Sequence, residues 1–378
     1  MRDSSGALDW KGESPPPPLI TDTVLQWHER GGIFEWWLPA RTGASSYPYA
    51  TRCPHEDHPT PTRCLSIRLA CGQDAEGRDI IFKLVDCGTM EYQIYKHLSN
   101  CDTLYAGDSP VCVLPPTAII ESPYQFAFVA MPMWGARLSI QNFDRIRQVL
   151  AFIRSTLTGL SFLHEQRIAH RDIHETNILV NWYCGDDHHE SCARRLSEHT
   201  RSRAAAYALF DFDLSLQLPQ GTDLRRCHRP ALEAFTGKRT YHPADVYQGE
   251  SHYNPFAFDV ACLGNLYLYH FAEAIPTVPL LAPLFAKMST HVIDDRFDAR
   301  EALDFFSQIE AGLPLEVLDE GVVLQPDFDP LDDPNLCWSR LTHEFHAAWQ
   351  IYRPPPLSWI THLLRWIAST HTGCRVPL

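Results

Sequence analysis

His170-Arg171-Asp172 is followed, after four residues, by Asn177. Those residue types at that spacing suit phosphoryl transfer. The carboxylate can take the proton of an acceptor hydroxyl, and an amide oxygen about a turn away can hold a metal ion. Apolar Ile168 precedes the loop and Ile178-Leu179-Val180 follows it, so two short strand-like runs would hold it at both ends. A second reactive position is Lys83, inside the apolar run Ile80-Ile81-Phe82-Lys83-Leu84-Val85. A cation set into an apolar strand needs an anionic partner. Glu91 is the only Glu between Glu76 and Glu121, and Thr89 just before it reads as the N-cap of a helix. A third is Phe210-Asp211-Phe212-Asp213, where carboxylates follow the apolar pair Ala208-Leu209.

The elements that must position these groups change character along the chain. Residues 1–32 form a polar tail containing Pro15-Pro16-Pro17-Pro18, expected to be partly disordered. Residues 33–134 read as strand-rich: Ile33 to Leu38 is aromatic, Leu65 to Ala70 alternates, and Ile80 to Val85 is compact and apolar. Gly72 to Gly77 separates the last two, which predicts a hairpin. Residues 135–312 read as helical. Ile146, Leu150, Ile153, Leu157, Leu160 and Leu163 recur at three- and four-residue steps, which predicts an amphipathic helix ending just before the His170 loop. Residues 41–63 and 184–203 have the composition of insertions. Beyond residue 312, a Pro- and Asp-rich linker leads to Leu341, Phe345, Trp349, Trp359, Leu363 and Trp366. Their spacing suggests two helices, broken at Pro354-Pro355-Pro356, that dock on the main domain. Strands first and helices after predict an α+β fold, a small β-rich part followed by a larger α-helical part.

The chain has 378 residues, 45% hydrophobic and 21% charged, enough to bury a sizeable core. A formal net charge of −14 argues against nucleic acid as a partner. The start of the chain has no apolar signal-like stretch, and no run reaches the length of a membrane span. The expectation is a protein of the cytoplasm or nucleus that is not secreted and makes no membrane contact, with its twelve cysteines reduced. Two groups have metal-ligating residue types, Cys53, His55, His58, Cys64 and Cys184, His188, His189, Cys192. Neither contains a close cysteine pair, and solvated loops are the default reading.

Taken together and in order, these motifs resemble those of the eukaryotic protein-kinase family over roughly residues 33–310. The His170–Asn177 run matches the family's H-R-D-x-x-x-x-N loop. The resemblance implies a bilobal kinase fold, with a β-rich N-lobe (33–134) and an α-helical C-lobe (135–312). It implies ATP and Mg²⁺ as cofactors and a protein substrate whose identity stays open. Lys83 looks like the strand lysine on the α- and β-phosphates, with Glu91 as its ion-pair partner. Asp211 and Asn177 would hold Mg²⁺, and Phe212 would pack inward. The register continues through Gly237 to Asp245, in which Asp245 stands where the family has Glu. Asp259 to Gly264 follows, whose Asp would support the backbone around His170. Arg296 would then form a buried bidentate pair with Asp245. Met131 to Trp134, in particular Met131 and Met133, correspond to the segment that receives adenine through backbone groups. Long insertions and altered motifs make the chain similar to the large kinase-like families of mushroom-forming fungi.

The departures from the family pattern are specific. No glycine-rich phosphate loop precedes Lys83, and Arg41 to Ser46 is the nearest replacement. The glycine of D-F-G is Asp213. The usual lysine two residues after the catalytic Asp is His174, and the usual threonine downstream is Lys238, which predicts that Lys238 supplies the missing cation. Arg171 makes the loop one of the type that often waits for an anion on the downstream segment; Thr222, Thr236 and Thr240 are the nearby hydroxyls, Thr236 and Thr240 the candidates for phosphorylation, with unmodified residues the default reading. The sequence therefore reads first as a Ser/Thr protein kinase. The alternatives are a pseudokinase acting as a binding module, suggested by the missing glycine loop, and a small-molecule kinase of the aminoglycoside/choline type, suggested by His174 and the D-F-D element.

Overall fold

The computed structural model describes residues 50–52, 68–74, 78–105, 111–122, 124–135, 140–183, 190–202, 205–247, 250–324, 331, 335–356, 359–360 and 363. The N-terminal tail, the stretch that would replace the glycine loop and both Cys/His groups lie outside them, except that Cys192 falls on a described helix. The chain is α+β, a mixture of helices and small, mostly antiparallel sheets. It divides into two compact units. One comprises residues up to 136 together with 179–213; the other comprises 137–178 and everything from 214 onward.

In the first unit, β1 (Thr51–Arg52) pairs in parallel with Trp182–Tyr183. Strands β2 (Leu69–Gln73), β3 (Asp79–Asp86), β4 (Ala118–Glu121) and β5 (Phe126–Pro132) form one antiparallel sheet in the order β2-β3-β5-β4. The predicted hairpin is β2–β3, with Leu69 opposite Lys83. Alternation along β3 sends Ile80 and Phe82 into an apolar cluster with Ala70 and Ala130, and sends Lys83 to the opposite face. The helix Met90–Ser99 begins where the Thr89 hydroxyl accepts the Tyr92 N–H. It buries Glu91, Tyr95, Ile94 and Leu98, two pairs each spaced by four residues and therefore on one side of the helix. The strand Tyr207–Leu209 is fully buried. It is fastened by Leu209 N–H to the Cys112 carbonyl and Leu114 N–H to the Leu209 carbonyl.

The second unit is built on the helix Ile146–Glu165, whose predicted apolar positions are all buried. Polar Gln148, Ser155 and Thr156 are buried too, so this is a core helix rather than an amphipathic one. The polar atoms find partners. Gln148 Oε1 accepts the N–H groups of Asp144 and Arg145, and the Thr156 hydroxyl bonds the Tyr267 hydroxyl. The helix Pro255–Phe271 is capped by Asn254 and starts with proline, a residue whose missing N–H costs nothing there. Ile168–Ala169 pairs with Leu216–Gln217, which fixes the entry to the His170 loop.

The segment after residue 312, read from its composition as a linker, is packed where it begins. Val322 and Leu324 are buried, and Ile146 N–H donates to the Glu320 carbonyl. Of the two expected C-terminal helices, the first region docks. Trp338 is buried, Arg340 grips Glu273 with two bonds, and Trp349 packs edge-on to Phe305. Trp359, Ile360 and Leu363 are exposed, contrary to the docking expected of them. No helix among the described residues is long and apolar enough to cross a membrane.

Candidate functional site

The first unit gathers its reactive groups around Lys83. The side chain is 5% exposed, and its ammonium donates to Glu91 Oε1 at 2.5 Å and to Asp211 Oδ1. Burial alone would lower the lysine pKa, but the surrounding groups, Tyr95, Glu91 and Asp211, outweigh it and hold the amine well above its ordinary value. Lys83 is thus a buried, permanent cation with two carboxylate partners. Asp211 has a φ of 72°, a left-handed conformation that costs energy for a residue with a Cβ. Such strain persists where the surroundings over-determine it, and here the buried strand before Asp211 and buried Phe212 after it do so. Asp213, in the family's glycine position, is exposed. Of the segment expected to receive adenine, Met131 is buried opposite Ile81. The Met133 N–H donates to the Asp79 carbonyl at 3.0 Å, so this donor is committed to the sheet.

The second unit gathers its groups around Asp172. Oδ2 accepts Asn177 Nδ2 at 2.8 Å, and Oδ1 accepts the Lys238 backbone N–H at 3.1 Å. Asn177 Nδ2 also reaches the Asp172 carbonyl at 3.0 Å. With its NH₂ spent on Asp172, the amide leaves its oxygen as the remaining ligand atom. Gly237, at φ 76°, lies so close that an added Cβ would be 2.5 Å from Asp172 Oδ1. Only glycine permits both that backbone angle and that approach.

The loop backbone is held from below by Asp259, which is fully buried. Its Oδ2 accepts the His170 N–H at 2.6 Å, and its Oδ1 accepts the Arg171 N–H at 2.7 Å. Arg171 is itself left-handed at φ 68°, and these bonds pin the strained residue. Ser215 adds a hydroxyl bond to the His170 carbonyl. The Arg171 side chain finds its anion without any modification. Nη2 donates to the Glu233 carbonyl at 2.7 Å and lies 3.7 Å from the Glu233 carboxylate, which also takes a two-bond grip from Arg229. Residue-type reasoning turned to Thr222, Thr236 and Thr240 and overlooked Glu233. The Arg229–Glu233 spacing of four residues was the available signal.

His174 is buried, and burial, assisted by the Lys238 charge, pushes its pKa below the ordinary imidazole value. Lys238 Nζ donates to Thr176 Oγ1 at 2.8 Å, which brings its ammonium to this loop. Arg296 meets Asp245 through a single bond of 2.7 Å rather than the expected bidentate pair. The rest of the guanidinium is drawn to the carbonyls of Thr290 and Ala257, since three acceptors surround one buried fork.

The Asp211 carboxylate of the first unit and the Asn177 amide oxygen of the second are each the kind of oxygen ligand a hard divalent cation such as Mg²⁺ prefers. Among the described residues no cluster of three or more His, Cys, Asp or Glu forms a metal site by itself. The chain matches no family model and no curated protein.

Proposed function

We propose that the chain is an ATP-dependent protein kinase of the eukaryotic type, bilobal in fold, that transfers the γ-phosphoryl group to Ser or Thr hydroxyls of a protein substrate. The observation that carries the reading is the convergence on buried Lys83 of Glu91 and Asp211, carboxylates from segments 8 and 128 residues away. A buried cation with that pairing is suited to orient the α- and β-phosphates. Asp172 takes the proton of the acceptor hydroxyl, whose oxygen bonds the γ-phosphorus as the bond to the β-phosphate oxygen breaks and ADP leaves. Asn177 and Asp211 would hold Mg²⁺, which supplies neutralisation of the phosphate charge when bound. Lys238, a cation beside Asp172 in the place where the family has a neutral residue, offsets the developing charge near the acceptor.

A protein acceptor is favoured over a small molecule because residues 236–240 form an exposed segment tied directly to Asp172 through Lys238. That is a platform an extended peptide can lie along. The test is calorimetric ATP binding with and without Mg²⁺ on the parent and on Asp211→Asn, followed by phosphate transfer to a peptide mixture, to choline and to aminoglycosides. Binding strengthened by Mg²⁺ only in the parent, with transfer to peptides that Asp172→Asn abolishes, is the expected result. No ATP binding in either condition would move the reading to a pseudokinase.

A further inference from the structure

The Tyr95 hydroxyl is a buried polar group near Lys83 to which the proposed mechanism gives no role. Tyr95 is fully buried and makes no hydrogen bond through its oxygen. Buried tyrosine hydroxyls almost always find a partner, because leaving one unsatisfied is costly. Its position is specific. It lies four residues after Glu91 on the helix Met90–Ser99 and therefore on the same side. Its ring meets Phe212 edge-on, with centroids 5.3 Å apart. Lys83, Glu91 and Asp211 all act electrostatically on its hydroxyl, and Tyr95 in turn acts on Lys83. A residue required only to fill this apolar corner would be better served by phenylalanine.

We infer that Tyr95 is a positioning residue that holds Lys83 and Glu91 in place once Asp211 turns to a metal ion. The inference rests on the kinase reading. The Lys83 ammonium donates to Glu91 and to Asp211. When Asp211 gives its carboxylate to Mg²⁺, Lys83 loses one acceptor. An ammonium carries three donors and no acceptor, whereas a tyrosine hydroxyl both accepts and donates. The Tyr95 oxygen accepts the N–H that Asp211 releases, and its own O–H donates a hydrogen bond to Glu91. No covalent bond changes in this exchange. The unsatisfied hydroxyl is then a partner held in reserve for Lys83. The edge contact couples it to Phe212, the neighbour of the residue that moves.

Tyr95→Phe tests this, because it keeps the ring, the volume and the Phe212 contact and deletes only the oxygen. Thermal unfolding without ligand and calorimetry with ATP, each with and without Mg²⁺, are run on the parent and the variant. The expected result has opposite signs. The ligand-free variant unfolds at the same or a higher temperature than the parent. Its Mg²⁺–ATP affinity falls roughly ten- to a hundredfold, the loss of about one hydrogen bond to a charged group, while its metal-free ATP affinity stays within about twofold. If the parent binds Mg²⁺–ATP and Tyr95→Phe binds it equally well, the tyrosine is a packing residue and this inference alone falls. An equal loss with and without Mg²⁺ also overturns it, since the role would not depend on the movement of Asp211. A parent that binds no nucleotide sinks both the kinase reading and the role of Tyr95.

Discussion

Gly237→Ala is the sharpest perturbation the geometry offers, because two separate costs can be worked from one position. Gly237 sits at φ 76°. An L-residue in the left-handed region costs about 1–2 kcal/mol, so stability should fall by about that amount and the unfolding temperature by roughly 2–4 °C per kcal/mol. The second cost falls on Asp172. The new Cβ would stand 2.5 Å from its Oδ1, 3.1 Å from its Cγ and 2.9 Å from Leu214 Cδ1, where ordinary contact begins at 3.4 Å. To restore contact distance the carboxylate must retreat by close to ~1 Å, and a displacement of that size at a reacting group can lower the rate about 10²-fold. Lys83, Glu91 and Asp211 share no partner with Gly237, so ATP affinity should stay within about twofold of the parent. The assay is steady-state phosphate transfer alongside ATP calorimetry and thermal unfolding. A variant that shows the loss of stability but keeps kcat within about threefold of the parent would falsify the claim that Asp172 must sit where Gly237 allows it.

Two further outcomes follow from buried charges in the second unit. Arg296 spends its donors on Asp245 and on the carbonyls of Thr290 and Ala257, so Arg296→Met should cost about 3–5 kcal/mol by leaving a mostly buried carboxylate and two carbonyls unpaired. Chemical denaturation measures this, and a loss below about 1 kcal/mol would show that solvent replaces the pair. His270 is buried against the Tyr241 hydroxyl at 3.0 Å, and burial brings its pKa down from 6.5 to about 4. The unfolded chain therefore binds this proton first as pH falls. The stabilisation by neutral His270 is complete above pH 6.5, declines between 6.5 and about 4, and changes no further below that. At about 1.4 kcal/mol per pH unit, the loss over that window is of order 3 kcal/mol. Denaturation midpoints across the window should fall more steeply in the parent than in His270→Gln, and parallel slopes would count against the assignment.

Local signals were legible wherever a few neighbouring residues decide the outcome. Thr89 before Met90 marked the helix that carries Glu91, and the glycines between two apolar runs marked the β2–β3 hairpin. The three- and four-residue recurrence from Ile146 to Leu163 placed the core helix. Where composition misled, burial was the missing quantity. Gln148 and Thr156 look like solvent-facing residues of an amphipathic helix, yet both are buried and hydrogen-bonded. The aromatic residues near the C-terminus look alike in sequence, yet Trp338 is covered and Trp359 is not.

The sequence alone determined which residue types are present for phosphate chemistry and their order: Lys83, Glu91, Asp172, Asn177, Asp211, Asp245, Asp259 and Arg296. Covalent order carries that information because each motif is a short run whose residues share a strand, loop or helix. The tertiary structure decided how those residues are satisfied. It gave Arg171 the carboxylate of Glu233 in place of a modified hydroxyl, put Lys238 on Thr176 beside a buried His174, and divided the Arg296 fork among three acceptors. It also set Gly237 against Asp172 and left the Tyr95 hydroxyl unbonded near Lys83. Most of these partnerships join groups 39 to 66 residues apart. They arise from which donors and acceptors the packed core leaves facing one another, and a linear pattern does not encode that geometry.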